Sequence, residues 1–305
     1  MSVGSELYEP FTASQAVSQF GESPFWHSRE QVLYYVDIKG RCMRRLDPAT
    51  GAERAWPLPA EAGCCVPTAG NELLVARRDG IYLFDPRNGG SRLIALPPYP
   101  DSREERFNDG KCDAAGRFWC GTVFEPKTAP RGALYCLERG ELSWRAGDVM
   151  TSNGVDWSPD GSVMYWTDTP THAICALPFD VATGQLGDRR EFHRFPARDA
   201  AAPLRDYGGR PDGGAVDSEG NYWVAMYEGA RVLQLSASGE VLRSVPLPVQ
   251  CPTMPCFGGP DLRTLFITTV SAGRPAEELA ECPWSGRVLA MRVETPGLPC
   301  CAYRP

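Results

Sequence analysis

The chain carries six short runs of apolar and β-forming residues that recur at nearly even intervals. These runs occupy residues 34–37, 73–76, 118–121, 165–168, 222–225 and 265–268. Their mean spacing is about 46 residues, which is the length of one four-stranded blade of a β-propeller. No long apolar stripe follows the helical period, so helix is expected to be scarce. The pattern therefore predicts six repeated β-units.

Turn-forming residues precede most of these runs. Asp, Ser, Pro and Gly cluster at 113–116, 158–161, 217–220 and 258–261, and such residues supply the geometry of tight turns between strands. The sequence predicts an all-β fold, a six-bladed β-propeller, in which residues 1–305 form a single domain. In such a fold the segments that enter the innermost strands converge at one mouth of a central channel.

Composition and charge narrow the possible function classes. Apolar residues make up 43% of the chain and aromatic residues 10%, which is enough to build a core and argues against disorder. The net charge is −7 and no basic block occurs, so nucleic acid is not expected as a partner. No run approaches the roughly 18 apolar residues of a membrane span, so no membrane partner is expected. The oligomeric state is left open.

Cysteine usage indicates the compartment. The chain has twelve cysteines but no CxxC motif, which is not the pattern of a zinc ribbon or a thioredoxin site. Two pairs are adjacent, Cys64-Cys65 and Cys300-Cys301, and neighbouring cysteines bridge only with strain. Residues 1–15 lack the apolar core of a signal peptide. We expect a cytoplasmic protein whose thiols serve in packing, with a redox role for the thiols near the channel as the alternative.

Two common catalytic arrangements are not supported. The three histidines are His27, His172 and His193, and a three-histidine zinc site would need all of them although they are far apart in sequence. No GxSxG motif presents a serine nucleophile. The chemistry is therefore expected to depend on other residue types.

Four of the six units carry a carboxylate or a carboxamide at nearly the same point. These residues lie 11 to 13 positions before the second residue of each run, and they are Glu22, Asn108, Asn153 and Asp212. In the second and sixth units the corresponding stretches, 63–67 and 251–256, are apolar or rich in cysteine. Carboxylate and amide oxygens without histidine or cysteine suit a hard or borderline divalent cation. The shared position thus predicts a metal site in the central channel.

Each of these positions also has a simpler interpretation. The sequences Asn108-Asp109-Gly110, Asn153-Gly154 and Asp212-Gly213 are typical of turns. Glu22, which lies close to a proline, could be a surface residue. Only the shared register favours a common site over four unrelated positions.

Five motifs match one known family in their order and spacing. They are 21–26 (GESPFW), 106–111 (RFNDGK) with Asp113 and Gly116, 152–157 (SNGVDW), 211–213 (PDG) with Asp217 and Gly220, and 256–259 (CFGG). On these motifs the chain resembles the regucalcin (senescence marker protein)/gluconolactonase family of sugar lactonases, from about residue 18 to 270. The resemblance implies a six-bladed propeller with one divalent metal ion (Ca, Zn, Mn or Fe) in its channel and a small-molecule sugar lactone as substrate.

The resemblance also implies roles for individual residues. The metal-ligand positions match Glu22, Asn153 and Asp212. The substrate-contact positions match Arg106, Asn108 and, close by, Glu125. Asp212 is in addition the candidate general base. Asp109 either orients Arg106 or its loop, or serves only as a turn residue. The implied reaction is the metal-dependent hydrolysis of a gluconolactone-type aldonolactone to the aldonic acid.

A second function stays open at this point. A calcium-binding or regulatory propeller without turnover would keep the same acidic cluster, because function does not follow from fold alone. Arg106 and Asn108 favour the enzyme, since a pure cation binder needs no contacts to sugar hydroxyls. The sequence leaves open which lactone is used, which metal is native, and whether the insertion at 197–209 covers the channel mouth or is a surface loop.

Overall fold

Antiparallel hairpins follow one another along the described part of the chain. The computed structural model describes residues 7–305, and in this part the chain forms 25 strands in six sheets. The innermost strands of consecutive sheets contact each other, and that of the last sheet contacts that of the first. This ring confirms the all-β, six-bladed propeller. Residues 1–6 lie outside the described residues. They are the first part of the stretch 1–15, for which no signal peptide is expected.

The first three blades are four-stranded meanders. The chain starts with β1 (Phe11–Thr12), which is part of the sixth blade. Blade 1 comprises β2 (Gly21–His27), β3 (Val32–Asp37), β4 (Cys42–Asp47) and β5 (Ala52–Pro57). Blade 2 comprises β6 (Ala62–Pro67), β7 (Leu73–Arg77), β8 (Gly80–Phe84) and β9 (Ser91–Ala95). Blade 3 comprises β10 (Glu105–Cys112), β11 (Phe118–Phe124), β12 (Gly132–Glu138) and β13 (Glu141–Val149).

The next two blades differ in their outer strands. Blade 4 comprises β14 (Ser152–Trp157), β15 (Val163–Asp168), β16 (Ala173–Asp180), β17 (Gln185–Leu186) and β18 (Arg190–Arg194). Its outer position is shared, because β17 and β18 pair with different ends of β16. Blade 5 comprises β19 (Arg210–Val216), β20 (Tyr222–Tyr227), β21 (Arg231–Leu235) and β22 (Val241–Pro246).

The sixth blade joins the two ends of the chain. It comprises β23 (Pro252–Gly258), β24 (Thr264–Thr269), β25 (Leu289–Arg292) and the N-terminal β1. Strand β1 pairs with β25 through Phe11 opposite Ala290. The last blade is therefore completed by the beginning of the chain, which closes the ring and leaves no open gap between the first and sixth blades.

The segment after β25 crosses the end of the channel at which the innermost strands finish. Gly297 bridges to Asp217, just after β19, and Tyr303 bridges to Thr68, just after β6. Tyr303 is fully buried. This segment therefore lies at the end of the channel opposite to the polar residues at the starts of the innermost strands.

Helix is scarce, as the sequence predicts. The described residues contain one short α-helix, α1 (Ala276–Glu281), and two 3₁₀ turns at Thr169–Thr171 and Leu204–Asp206. Within residues 7–305 no helix combines the length and the hydrophobicity that crossing a membrane requires.

The six recurrent runs form the second strand of each blade. Two of them begin after an aspartate whose carboxylate accepts a hydrogen bond from the indole of a buried tryptophan six residues later. Asp113 accepts from Trp119 at 2.9 Å and Asp217 accepts from Trp223 at 3.0 Å. The same carboxylates accept backbone or side-chain donors of their own turns. The pattern of Asp, Gly and Trp thus fixes the first hairpin of blades 3 and 5 to the blade core.

Asp217→Ala is expected to lower the free energy of unfolding by about 3 kcal/mol or more. The substitution would leave the buried donors of Trp223 and Gln234 and the half-buried backbone donor of Asn221 without an acceptor. Urea unfolding followed by tryptophan fluorescence measures the effect. Asp160→Ala serves as the control, because Asp160 is an exposed turn aspartate of blade 4. An equal loss in both variants would contradict the assigned role of Asp217.

Candidate active site

All six innermost strands contain a register shift at nearly the same point. The shifts fall between Glu22 and Phe25, Ala62 and Cys64, Phe107 and Gly110, Asn153 and Asp156, Pro211 and Gly214, and Pro252 and Pro255. A β-bulge bends its strand and re-aims the side chains beside it. The four polar positions picked out by register therefore lie at one structural feature that the blades share.

The turn interpretation of the asparagine-glycine sequences is wrong. Asn108 and Asp109 lie inside β10, Asn153 lies inside β14, and Asp212 lies inside β19. Gly154 follows Asn153 with φ of 61°, and a Cβ at this position would lie 2.3 Å from the hydroxyl of Tyr222. Glycine is thus required here by a bulge and a close contact within a strand, which mimics the signature of a turn.

A chain of hydrogen bonds links four of the predicted residues across three blades. Arg106 Nη1 donates to Asn108 Oδ1 at 2.7 Å, and Asn108 Nδ2 donates to Asn153 Oδ1 at 2.6 Å. Asn153 Nδ2 donates to Asp212 Oδ1 at 2.6 Å. All four side chains are buried. The structure therefore brings blades 3, 4 and 5 together at a single polar cluster.

Glu22 adds a second buried carboxylate from blade 1. Burial raises the pKa of Glu22 well above its ordinary value, and the charges of Asp212 and Asp109 raise it further. Burial likewise raises the pKa of Asp212 to about 7, against the lowering effect of Arg210. In the described residues, neither Glu22 nor Asp212 has a lysine, arginine or histidine nitrogen within 4.0 Å. The channel thus holds two carboxyl groups whose ionised forms repel each other and have no partner cation in the part of the chain that the structure describes.

Asp109 is a third channel carboxylate. It is buried in the bulge of β10, where Oδ2 accepts the backbone N–H of Val155 at 3.2 Å. Its Oδ1 has no hydrogen-bond partner among the described residues, and burial raises the pKa of this carboxyl group. Asp109 lies inside β10 and not in a turn, and within residues 7–305 it makes no hydrogen bond to Arg106. Its bond to the backbone of Val155 leaves only the expectation that it orients the backbone beside it. Its only sequence signal is its position next to Asn108.

The donor set fits an oxygen-liganded divalent cation. Within residues 7–305 no group of three or more His, Cys, Asp or Glu side chains is arranged to hold a metal ion, so the carboxylates alone do not form a complete site. Glu22 and Asp212 supply carboxylate oxygens, which Ca²⁺ and similar ions prefer. The carboxamide of Asn153 can add an amide oxygen once it turns over, because its Nδ2 now faces Asp212 and its Oδ1 faces Asn108. The unrelieved repulsion of the carboxylates and the free Oδ1 of Asp109 are the features that a bound cation would compensate.

Glu125 lies at the rim of this cluster. It follows β11, and its Oε1 accepts from Arg106 Nε at 3.2 Å while its Oε2 accepts from Arg78 Nη2 at 2.8 Å. Arg78 also pairs with Glu61. Glu125, one of the predicted substrate-contact residues, thus holds the side chain of Arg106 in place from the rim.

The cysteines of blades 2 and 6 occupy the other two bulge regions. Burial raises the pKa of Cys65, Cys251 and Cys256, the last two to about 12. All twelve cysteines are free. A raised pKa disfavours the thiolate and makes a thiol a poor nucleophile, so the geometry fits the packing role better than the redox alternative.

The C-terminal end of the insertion at 197–209 contacts the loops beside the channel mouth. Tyr207 contacts Nε2 of His172, and Gly208 accepts a hydrogen bond from Arg231 at 3.0 Å. Residues 198–201 are exposed. Tyr207 is the side chain of the insertion on which the charge of Arg210 acts, since this charge lowers the pKa of Tyr207 against the raising effect of burial.

Comparison with known proteins gives a consistent result. Residues 20–271 match the model of the SMP-30/Gluconolactonase/LRE-like region. The chain is 45% identical over 282 residues to 6-deoxy-6-sulfogluconolactonase of Pseudomonas putida, covering 92% of this chain and 93% of the relative. It is 34% identical to regucalcin of Danio rerio, covering 88% and 89% of the two chains.

A solved structure shows the same fold. The crystal structure of a calcium-binding protein, regucalcin, from Agrobacterium tumefaciens superposes with a TM-score of 0.89 at 24% identity and covers 96% of this chain and 97% of that one. Taken with the family match over most of the chain, these similarities establish that the protein belongs to the SMP-30/gluconolactonase/LRE-like family.

Proposed function

We propose that the protein is a metal-dependent sugar lactonase that hydrolyses a gluconolactone-type aldonolactone to the aldonic acid. The observation that carries this proposal is the buried hydrogen-bonded chain from Arg106 to Asp212, with Glu22 beside it. The names of the curated relatives support the reaction class, because one of them is a sulfogluconolactonase. We also propose that residues 1–305 act as one domain.

Glu22, Asn153 and Asp212 would hold the cation. When bound, a divalent cation polarises a carbonyl group and lowers the pKa of water. The oxygen donors suit Ca, Mn, Fe and Zn, so the metal set is not narrowed further. Asp212 is the proposed general base, which removes a proton from the water that attacks the lactone carbonyl carbon. The ring C–O bond then breaks, and the proton passes to the alcohol oxygen of the open chain.

Arg106 and Asn108 would position the sugar. Arg106 uses Nε for Glu125 and Nη1 for Asn108 and the carbonyl of Phe107. Its Nη2 makes no hydrogen bond within residues 7–305, so this donor is available to a sugar hydroxyl. Because Glu125 and Asn108 fix the guanidinium plane, the donor is held in one direction before the substrate binds.

A cytoplasmic location is proposed on the chemistry of the thiols. All twelve cysteines are free, and seven of them are buried. Free thiols persist in reducing compartments and tend to be oxidised or bridged elsewhere.

The second candidate is a calcium-binding protein without turnover. The name of the Agrobacterium tumefaciens structure favours it, since that protein is described as calcium-binding. The free Nη2 donor of Arg106 favours the enzyme, because a cation site has no use for it. The two candidates differ in one observable, the rate of acid release from a lactone.

Chelation is expected to remove lactone hydrolysis, and metal is expected to restore it. Acid release from D-gluconolactone and from galactono-, xylono- and arabinono-lactones would be followed with a pH indicator, against the spontaneous rate. The panel includes 6-deoxy-6-sulfogluconolactone because of the Pseudomonas putida relative. Each of Ca, Mn, Fe and Zn is then added back to the chelated protein. Full turnover by protein that metal analysis shows to be metal-free would contradict the proposal, and no acceleration with any metal would favour the binding protein.

A further inference from the structure

Lys127 is a cation without a carboxylate partner at the mouth of the channel. The chain has three lysines: Lys39 pairs with Glu61 at 2.9 Å and Lys111 pairs with Asp156 at 2.7 Å. Within residues 7–305, Lys127 has no carboxylate oxygen within 4.0 Å, although its side chain is exposed to solvent. An accessible lysine beside a ligand site and without a counter-ion is free to bind an anion.

The backbone holds Lys127 in this place. It lies two residues after Glu125, in a turn where its N–H donates to the carbonyl of Phe124 at 3.0 Å. Its φ of 52° is in the left-handed region, which costs energy for a residue with a side chain. Because Glu125 is bound to Arg106 at 3.2 Å, this turn is attached to the edge of the polar cluster.

Other cations surround Lys127. Partial burial and the charges of Arg210 and Arg106 lower the pKa of Lys127, and the charges of Asp212 and Glu125 raise it. Lys127 and Arg210 also both lower the pKa of Asp212. Hydrogen bonds place these groups at the same mouth. Lys127 lies two residues after Glu125, which binds Arg106 of blade 3. Arg210 lies two residues before Asp212 of blade 5, at the far end of the hydrogen-bonded chain that begins at Arg106.

The charges at the mouth do not cancel. On blades 1 to 3, one network joins three cations and two carboxylates: Lys39, Arg78, Arg106, Glu61 and Glu125. On blades 5 and 6, a second network joins two cations and two carboxylates: Arg210, Arg274, Glu228 and Glu278. Together with Lys127, the rim outside the channel carboxyl groups of Glu22, Asp109 and Asp212 carries two positive charges in excess, whereas the whole chain has a net charge of −7. Such a local excess attracts and orients anionic ligands.

Arg210 has donors left for such a ligand. Its Nη1 donates to Glu228 at 2.7 Å, and its guanidinium carbon lies 4.8 Å from the ring centroid of Tyr227. Glu228 is shared with Arg274, whose Nη1 lies 3.2 Å from Oε1. One carboxylate between two arginines neutralises only part of their charge, and the stacking on Tyr227 holds the guanidinium in one plane.

We propose that Lys127 and Arg210 form a subsite for an anionic substituent, a sulfonate or a phosphate, carried by the sugar lactone at a position away from the carbonyl. The proposal rests on the proposed lactonase function and assigns its substrate class. A tetrahedral oxyanion would accept a hydrogen bond from Lys127 Nζ and from the guanidinium of Arg210. A neutral aldonolactone would occupy the same site without this contact.

Calorimetric titration of open-chain acids tests the subsite without requiring turnover. The probes are gluconate, 6-phosphogluconate and 6-deoxy-6-sulfogluconate, which share one carboxylate and differ at C6. The wild type is expected to bind at least one of the two C6-anionic acids about tenfold more tightly than gluconate. The phosphate and sulfonate arms show which group the subsite takes. Equal affinity for all three acids would overturn the proposal.

Substitutions separate Lys127 from general charge effects. Lys127→Met is expected to remove the tenfold preference and to leave gluconate affinity unchanged, while Lys127→Arg keeps most of it. Arg87→Ala removes one positive charge from an exposed residue that pairs with Asp85 in the turn after β8, and it is expected to change nothing. If Lys127→Met weakens gluconate as much as the C6-anionic acids, the cation binds the common carboxylate and the subsite is refuted.

Turnover is measured separately on the same variants. If neutral gluconolactone and its C6-anionic forms are both inert while the binding preference holds, the lactonase proposal fails and the subsite stands. If neutral gluconolactone is hydrolysed and no binding preference exists, the lactonase proposal stands and the subsite fails.

Discussion

Replacing Asp212 by Asn is expected to abolish lactone turnover and to stabilise the metal-free protein. The carboxylate is the proposed base and a cation ligand, and the amide can take neither a proton nor a formal charge. Loss of a general base alone lowers rates by about 10²- to 10⁴-fold, so kcat should fall by about 10³-fold or more. Added metal is not expected to rescue this variant, because the base itself is missing.

The gain in stability follows from the raised pKa of Asp212. Burial raises it from its ordinary value of 3.8 to about 7, so the folded chelated protein binds more protons between these values than the unfolded chain does. The free energy of unfolding of the chelated wild type should therefore fall as the pH rises from about 4 to 7, by up to about 4 kcal/mol. Asp212→Asn should remove the part of this dependence that Asp212 contributes.

Thermal unfolding in chelator at pH 5 and pH 8 measures the effect. The wild type is expected to unfold at a lower temperature at pH 8 than at pH 5, and the variant is expected to show a smaller difference, because the raised pKa values of Glu22 and Asp109 still contribute. Asp188→Asn is the control, since Asp188 is exposed between β17 and β18. If Asp212→Asn keeps wild-type turnover on every lactone of the panel, Asp212 is not the base and the assigned site is wrong.

The even spacing of the six repeated runs predicts the fold. The shared position of four polar residues relative to these runs predicts the site. Asn153 and Asp212 are 59 residues apart in the sequence, yet Asn153 Nδ2 lies 2.6 Å from Asp212 Oδ1. That proximity follows from blade symmetry alone, because equivalent positions of consecutive blades meet at the axis. The register argument needs no knowledge of any single contact, which explains why it succeeds where local motifs are weak.

Predictions from short sequence motifs are wrong at the β-bulges. Asn153-Gly154 has the composition of a hairpin turn, but Gly154 serves a bulge that packs against Tyr222 of the next blade. Gly63 shows the same effect, since a Cβ there would lie 2.2 Å from the carbonyl oxygen of Phe107 in the next blade. Both glycines are required by close contacts with a neighbouring blade, so their role is visible only in three dimensions.

The importance of Asp109 and Lys127 could not be predicted from the sequence for a related reason. Asp109 differs from an ordinary turn aspartate only by being enclosed in the channel. Lys127 is a lone lysine after a proline, and its significance depends on Arg210, which is 83 positions away and on another blade. Charge excess at the mouth is a sum over five blades, and no window of sequence contains it.

Glu22→Gln is expected to weaken divalent cation binding by about 100-fold, which corresponds to about 3 kcal/mol. The substitution removes one of the two anionic ligands, and ligand charge is a main determinant of affinity for hard cations. Turnover at low metal concentration should fall with cation occupancy. Unlike Asp212→Asn, this variant should recover part of its activity when metal is raised, because Asp212 is still present as the base.

Metal titration by calorimetry, with turnover measured at each concentration, separates the two variants. Circular dichroism should show an unchanged β-rich fold in Glu22→Gln, because Glu22 accepts only one backbone hydrogen bond, from Ser23 at 3.0 Å. Glu240→Gln, at an exposed residue in the turn before β22, is the matched control and should bind the cation like the wild type. Wild-type cation affinity in Glu22→Gln would place the metal elsewhere. Full rescue of both Glu22→Gln and Asp212→Asn by metal would show that the two carboxylates act only as ligands, since a missing base cannot be replaced by occupancy.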